Sequence, residues 1–171
     1  MGEIGEAMAR RARGFGMDVL YASRTRKPGI EDRLACRWST LDALLGQADF
    51  VSLHTPLNAE TRHLLGPAQF RLMKPSAMLI NTSRGAVVDQ DALVAALRSG
   101  NLAGAALDVT DPEPLPLDHP LFALPNVIIT PHISGFSSAY DERAVELFAE
   151  NLNRYLTNLP LYNRISSENG Y

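Results

Sequence analysis

Leu79-Ile80-Asn81-Thr82-Ser83-Arg84-Gly85-Ala86-Val87-Val88-Asp89 decides the fold: an apolar run ends by delivering an arginine immediately before a glycine. Two other apolar runs end in polar residues. Leu102 to Val109 leads into Thr110-Asp111-Pro112-Glu113, and Val127 to Thr130 leads into Pro131-His132. Each reads as a buried strand of a parallel sheet, where strands are continuously apolar. In an open α/β sheet, polar residues beyond the carboxyl ends of the strands converge on one crevice, and ligands bind there. Arginine brings a permanent charge on a planar fork, suited to a carboxylate or an α-keto acid. Histidine gives or takes a proton near neutrality, and a neighbouring carboxylate stabilises its charged form. Arg84, Glu113 and His132 therefore read as carboxylate clamp, acid/base partner and acid/base.

Composition agrees with one ordinary domain. The chain has 171 residues, 46% hydrophobic and 20% charged, enough apolar material for a core. A net charge of -3 gives no reason to expect nucleic acid or a membrane surface as partner. The single cysteine, Cys36, reads as a packed thiol; it excludes an internal disulfide framework and fits a reducing compartment. No apolar run approaches the roughly 20 residues that cross a bilayer, and the N-terminus lacks a signal-peptide core. The expected location is cytoplasmic.

Along the chain, Gly2-Glu3-Ile4-Gly5 ahead of an Ala-rich helix reads as the last two glycines of G-x-G-x-x-G. The first glycine and the strand before it are missing. After a strand over Met17 to Tyr21 comes Ala22-Ser23-Arg24-Thr25-Arg26-Lys27-Pro28. A dinucleotide site places an acid about here for the ribose 2′-hydroxyl, or an arginine for a 2′-phosphate. Ser23 occupies the acid's place and three cations follow it, so NADP(H) is favoured, with NAD(H) possible. Helices are expected over Ser39 to Leu45, Pro67 to Met73, Gln90 to Ser99 and Ser138 to Thr157, and strands over Asp49 to His54 and Ala77 to Asn81. Asp89 caps the third of these helices and Gly100 ends it. Five prolines from Asp111 to Pro125 predict a stiff loop without regular structure that holds Glu113. His54 reads as structural rather than as a second catalytic group, and His63 and His119 as surface residues. No His/Cys/Asp/Glu cluster stands at ligand spacing, so no metal is implied.

Asn81-Thr82-Ser83-Arg84-Gly85, Leu107-Asp108-Val109 with Glu113-Pro114, and Pro131-His132, in that order, resemble the nucleotide-binding domain of the D-2-hydroxyacid dehydrogenases. That family includes glyoxylate/hydroxypyruvate reductases and phosphoglycerate dehydrogenases, and the likeness covers nearly the whole chain. It implies an α/β fold, a Rossmann-type doubly wound parallel sheet with helices on both faces. Residues 1–150 would form this domain, and 151–171 a helix end and tail packing on a substrate domain outside the chain. It implies catalysis by Arg84, Glu113 and His132 on a small 2-keto or 2-hydroxy acid, and a homodimeric full-length parent. Cofactor contacts would come from Gly2, Glu3, Ile4 and Gly5; from Ser23, Arg24, Thr25, Arg26 and Lys27; and from His54, Thr55, Pro56 and Thr61. Thr82, Ser83, Arg84, Asp108, His132 and Gly135 would complete them. The first Rossmann strand is central, so its absence should leave two strands with unpaired edges and the chain inactive by itself. The alternative is a nucleotide-sensing or corepressor-like binding protein on the same fold.

Overall fold

The computed structural model describes residues 1–165; the end of the expected tail, 166–171, lies outside them. Six helices and six strands alternate through most of the chain, in the order α1 (Glu3–Gly14), β1 (Val19–Tyr21), α2 (Pro28–Leu34), β2 (Cys36–Trp38), α3 (Leu41–Leu45) and β3 (Phe50–Leu53). There follow α4 (Pro67–Leu72), β4 (Met78–Asn81), α5 (Gln90–Arg98), β5 (Gly104–Leu107), β6 (Val127–Ile129) and α6 (Tyr140–Leu156). Every strand pair is parallel.

The strands form two sheets. β1 pairs with β2, and β3-β4-β5-β6 run side by side in that order. Among the described residues no strand joins β1 to β3, so the outer edges of both are unpaired, as expected for a Rossmann order without its first strand. Each sheet has its own core. Ala9, Tyr21, Ile30, Leu34 and Cys36 pack around the small sheet. The larger cluster includes Val51, Leu53, Leu79, Ala105 and Leu107 from the strands, and Phe70, Leu93 and Leu97 from α4 and α5.

Side chains alternate across a strand, and the register aligns Val51, Leu79, Ala105 and Val127 on one face. That face is sealed by the larger core. On the other face Phe50 is 55% exposed and Ile128 64% exposed, so within these strands the covering is unequal. Small residues at β5 follow from close packing: a Cβ on Gly104 would lie 2.7 Å from the Asn126 carbonyl oxygen.

Helix boundaries follow cap chemistry. The Thr40 hydroxyl accepts from Ala43 N–H at 3.4 Å, and Asp89 accepts from Ala92 N–H at 3.0 Å. Gly100 takes φ +74, the left-handed conformation that ends α5. The proline-rich loop carries one short 3-10 turn, Pro120–Ala123, where none was expected. Its cap is His119, whose Nδ1 accepts from Leu121 N–H at 3.2 Å. His119 is thus a half-buried structural residue and not a free surface one.

The chain divides into two compact units, Met1–Ser134 and the residues from Gly135 onward. In the second unit α6 is amphipathic and buries none of its residues. There the Arg154 guanidinium lies 4.0 Å over the Tyr162 ring. No helix of the described residues is long and apolar enough to cross a membrane.

Candidate active site

Asn81, Leu107 and Ile129 end neighbouring strands and stand in register across β4, β5 and β6. Neighbouring strands are about 5 Å apart, so the residues that follow them share one short edge of the sheet. Arg84, Asp108 and His132 all leave the sheet at that edge.

Arg84 is aimed by Asn81, a buried polar side chain, 1% exposed, at the end of an apolar strand. Its Oδ1 accepts from the Ser83 N–H at 3.0 Å and the Ser83 hydroxyl at 2.8 Å, while its Nδ2 donates to the Arg84 carbonyl at 3.0 Å. All polar groups of the Asn81 amide face donors or acceptors of the next three residues, which sets the turn. Gly85 then packs on the backbone after β5: an added Cβ would sit 2.0 Å from the Thr110 carbonyl oxygen. Only glycine permits that approach. The Arg84 side chain is left exposed, donates to the Ser83 carbonyl at 2.6 Å, and meets no acid among the described residues.

Asp108 organises the His132 turn. Its carboxylate accepts from Ile133 N–H and Ser134 N–H, each at 2.9 Å, and from the Thr130 hydroxyl. Its carbonyl accepts from His132 N–H at 2.9 Å. Burial would raise the Asp108 pKa, but the donors of Ser134, Thr130 and Ile133 outweigh it and hold the carboxyl well below the usual carboxylate range. His132 itself adopts φ +55, a strained conformation costing about 1–3 kcal/mol outside glycine, which these bonds sustain. Its Nδ1 is 2.9 Å from Glu113 Oε1. That leaves Nε2 as the ring nitrogen available to a ligand. Two residues before Glu113, Gln90 pins the loop backbone, donating to the Asp111 carbonyl at 3.0 Å and accepting from the Asp111 N–H at 3.1 Å.

A dinucleotide would need donors at the helix start and the strand ends. The first-turn N–H groups of Glu3, Ile4 and Gly5 have no side-chain cap, and a Cβ on Gly2 would meet nothing within 4 Å. An open helix N-terminus of this kind suits a pyrophosphate. At the end of β3 the Thr55 hydroxyl is buried without a hydrogen-bond partner among the described residues. Pro56 and Thr61 close the neighbouring turn, Thr61 donating to the Pro56 carbonyl at 2.6 Å. His54 bonds Ser52 at 2.9 Å through Nε2, and burial pushes its pKa down. The residues present fit the group.

The loop Ser23 to Lys27, read from the sequence as the place for the adenosine ribose and called here the adenosine loop, differs from that reading in one respect: its three cations are not equally free. Arg26 makes a two-pronged ion pair with Glu31, both contacts at 2.8 Å, and Lys27 Nζ donates to the Met1 carbonyl at 2.7 Å. Arg24 is 84% exposed and only loosely paired, 3.6 Å from Glu60. Ser23 donates to the Thr25 carbonyl at 2.8 Å. Ser83 points inward to Asn81, Thr82 is half-buried, and Gly135 opens the second unit, exposed. Sequence reasoning missed the supporting residues Asn81 and Gln90 as site members. The legible signal for Asn81 was a polar residue closing an otherwise apolar strand; Gln90 gave none.

The fold and this edge define a dinucleotide-binding α/β domain with an arginine, a glutamate and a histidine at its strand ends. The family model for the NAD binding domain of D-isomer specific 2-hydroxyacid dehydrogenases matches residues 1–134, and the chain belongs to that family. It is 50% identical over 151 residues to the glyoxylate reductase of Thermococcus litoralis, covering 88% of this chain and 45% of that protein. The structure matches the D-lactate dehydrogenase with NAD+ from Lactobacillus jensenii with a TM-score of 0.89 at 32% identity, covering 97% of this chain and 53% of that one. It matches a D-isomer specific 2-hydroxyacid dehydrogenase from Xanthobacter autotrophicus, in complex with NADPH and MES, with a TM-score of 0.87 at 35% identity, covering 99% and 69%. The chain spans about half the length of the curated relatives it matches.

Proposed function

We propose that the protein carrying this chain is a reductase of small 2-keto acids, with glyoxylate the first substrate to test, and that it uses a nicotinamide dinucleotide with NADPH preferred. The observation that carries the reading is the 2.9 Å bond between Glu113 and His132, at the same sheet edge as the acid-free Arg84. When bound, the cofactor supplies the hydride. Arg84 holds the substrate carboxylate through its fork. His132, fixed through Nδ1 by Glu113, gives the proton from Nε2 to the keto oxygen as charge develops there. Positioned proton transfer of this kind is worth roughly 10²–10⁴ in rate. Asn81 and Asp108 act through these groups by fixing the turns that carry them. NADPH preference is supported by the exposed Arg24 and by Ser23 in place of an acid; homodimerisation of the full-length protein is carried by the family resemblance.

The reading is tested in the full-length protein by following glyoxylate reduction with NADPH and with NADH. His132→Ala should cut kcat by about 10² or more while cofactor affinity is nearly unchanged. Ser23→Asp should move preference toward NADH. A protein that binds the dinucleotide but turns over no 2-keto acid would instead support a nucleotide-sensing role.

A further inference from the structure

Arg26 and Glu31 lie on opposite sides of the junction between the adenosine loop and α2. Both guanidinium contacts, through Nε and Nη2, fall on the two carboxylate oxygens of Glu31 at 2.8 Å. The Glu31 side chain is only 13% exposed, against 62% for Arg26. Tyr21, in the small core, donates its hydroxyl to Glu31 Oε1 at 2.9 Å and accepts from the Lys27 N–H at 2.8 Å. The acid is therefore locked in place beneath the loop, and its charge cannot swing away. Of the loop cations, Arg26 is cancelled, Lys27 is turned to the Met1 carbonyl, and Arg24 stands out to solvent.

We propose that Glu31 is a specificity-determining positioning residue: by cancelling Arg26 it limits the positive charge that the loop presents to a 2′-phosphate, and so holds discrimination between NADPH and NADH in check. The proposal rests on the nucleotide-binding part of the proposed function. Glu31 touches no ligand in this account and acts only through Arg26 and the loop field. A uniform brace would be insensitive to the sign of the charge removed, whereas a charge balance is not.

The experiment uses the full-length protein and two probes, 2′,5′-ADP, which carries the 2′-phosphate, and 5′-AMP, which does not, with affinities measured by calorimetry. Glu31→Gln keeps a hydrogen-bond partner for Arg26 but frees its charge. The ratio of 2′,5′-ADP to 5′-AMP affinity should rise about three- to tenfold, the scale of one added charge a few ångströms away in a solvated site. The gain should fade at high salt. Arg26→Met leaves the Glu31 charge uncancelled, so the ratio should fall by a similar factor, and the double variant should return close to the wild type. Should Glu31→Gln fail to fold by thermal melting, the fall in Arg26→Met and its recovery in the double variant decide the matter. If both single variants weaken both nucleotides together, with the ratio unmoved, Glu31 is a structural staple and the proposal is overturned while the nucleotide site stands. If the wild-type protein binds neither probe, the nucleotide-binding reading falls and takes this proposal with it.

Discussion

At the carboxyl ends of β4, β5 and β6 the side chains of the candidate site are held from beneath by buried groups: Asn81 at 1% exposure, Asp108 at 4%, and the glycine contact between residues 85 and 110. Beyond β1 the loop from Ser23 to Lys27 is held by exposed cations and their partners on a two-stranded sheet. The contrast separates two physical tasks. Proton transfer, the task proposed for the first, fails with small displacements, and the turns there are fixed by satisfied hydrogen bonds where every unmade bond is costly. Affinity for a phosphate depends on net charge over a longer range, so cations at the surface suffice there, whether loosely paired as Arg24 is with Glu60 or firmly as Arg26 is with Glu31.

The largest effect should come from breaking the buried corner at its tightest point. Gly85→Ala puts a methyl group 2.0 Å from the Thr110 carbonyl oxygen, so the two strand-end loops must part. We expect a loss of about 3 kcal/mol or more in urea unfolding, at the upper end for overpacking, together with loss of turnover. A variant as stable as the wild type would show that the corner is soft.

Asp108→Asn should come next, because one side of the new amide would present a donor to the backbone N–H of Ser134 or Ile133. A cost of about 1–3 kcal/mol is expected. The variant also tests the electrostatics. The Asp108 pKa is depressed in the folded protein, so its stabilisation is fully present above the ordinary carboxylate range. It is lost progressively as pH falls below about 4, the unfolded value, toward the lower folded one. Unfolding measured at pH 7 and pH 3 should therefore show a larger acid-induced loss in the wild type than in Asp108→Asn. Equal losses would remove Asp108 from the acid sensitivity.

The adenosine end should be nearly silent in stability. Glu60→Gln removes the exposed partner of Arg24, and the change in unfolding free energy should stay within about 0.5 kcal/mol. A cost above about 1 kcal/mol would mean that this pair is structural after all, and the distinction between the two ends would weaken.

The buried corner was also the more legible of the two in the sequence. Apolar runs ending at Asn81, Val109 and Thr130 announce strands, and Asp89 and Gly100 announce the limits of α5, because strand periodicity and cap chemistry act over a few residues. The Glu113–His132 contact was expected from the resemblance and is present at 2.9 Å. The adenosine loop was legible in charge but not in connectivity. Arg24, Arg26 and Lys27 read as three equivalent cations; what distinguishes them is whether α2 forms, since that helix brings Glu31 back to Arg26. Neither α2 nor β2 was foreseen. Pro28-Gly29 reads as a break rather than a helix start, and a strand as short as Cys36-Arg37-Trp38 has too few residues to display an alternation. His119 was misjudged for a related reason: a proline-bounded histidine looks exposed until Leu121 N–H and Gln90 are folded against it.

The central claim is that His132 delivers the proton and that Glu113, bonded to its Nδ1 at 2.9 Å, holds the ring in place to do so. It is tested most directly by kcat for glyoxylate reduction in the full-length protein, compared across the wild type, His132→Ala and Glu113→Gln. Positioned proton transfer is worth roughly 10²–10⁴ in rate, so His132→Ala should lose about that factor and Glu113→Gln a smaller part of it, both with cofactor affinity nearly unchanged. Wild-type kcat in His132→Ala would contradict the account, and wild-type kcat in Glu113→Gln would take Glu113 out of the mechanism.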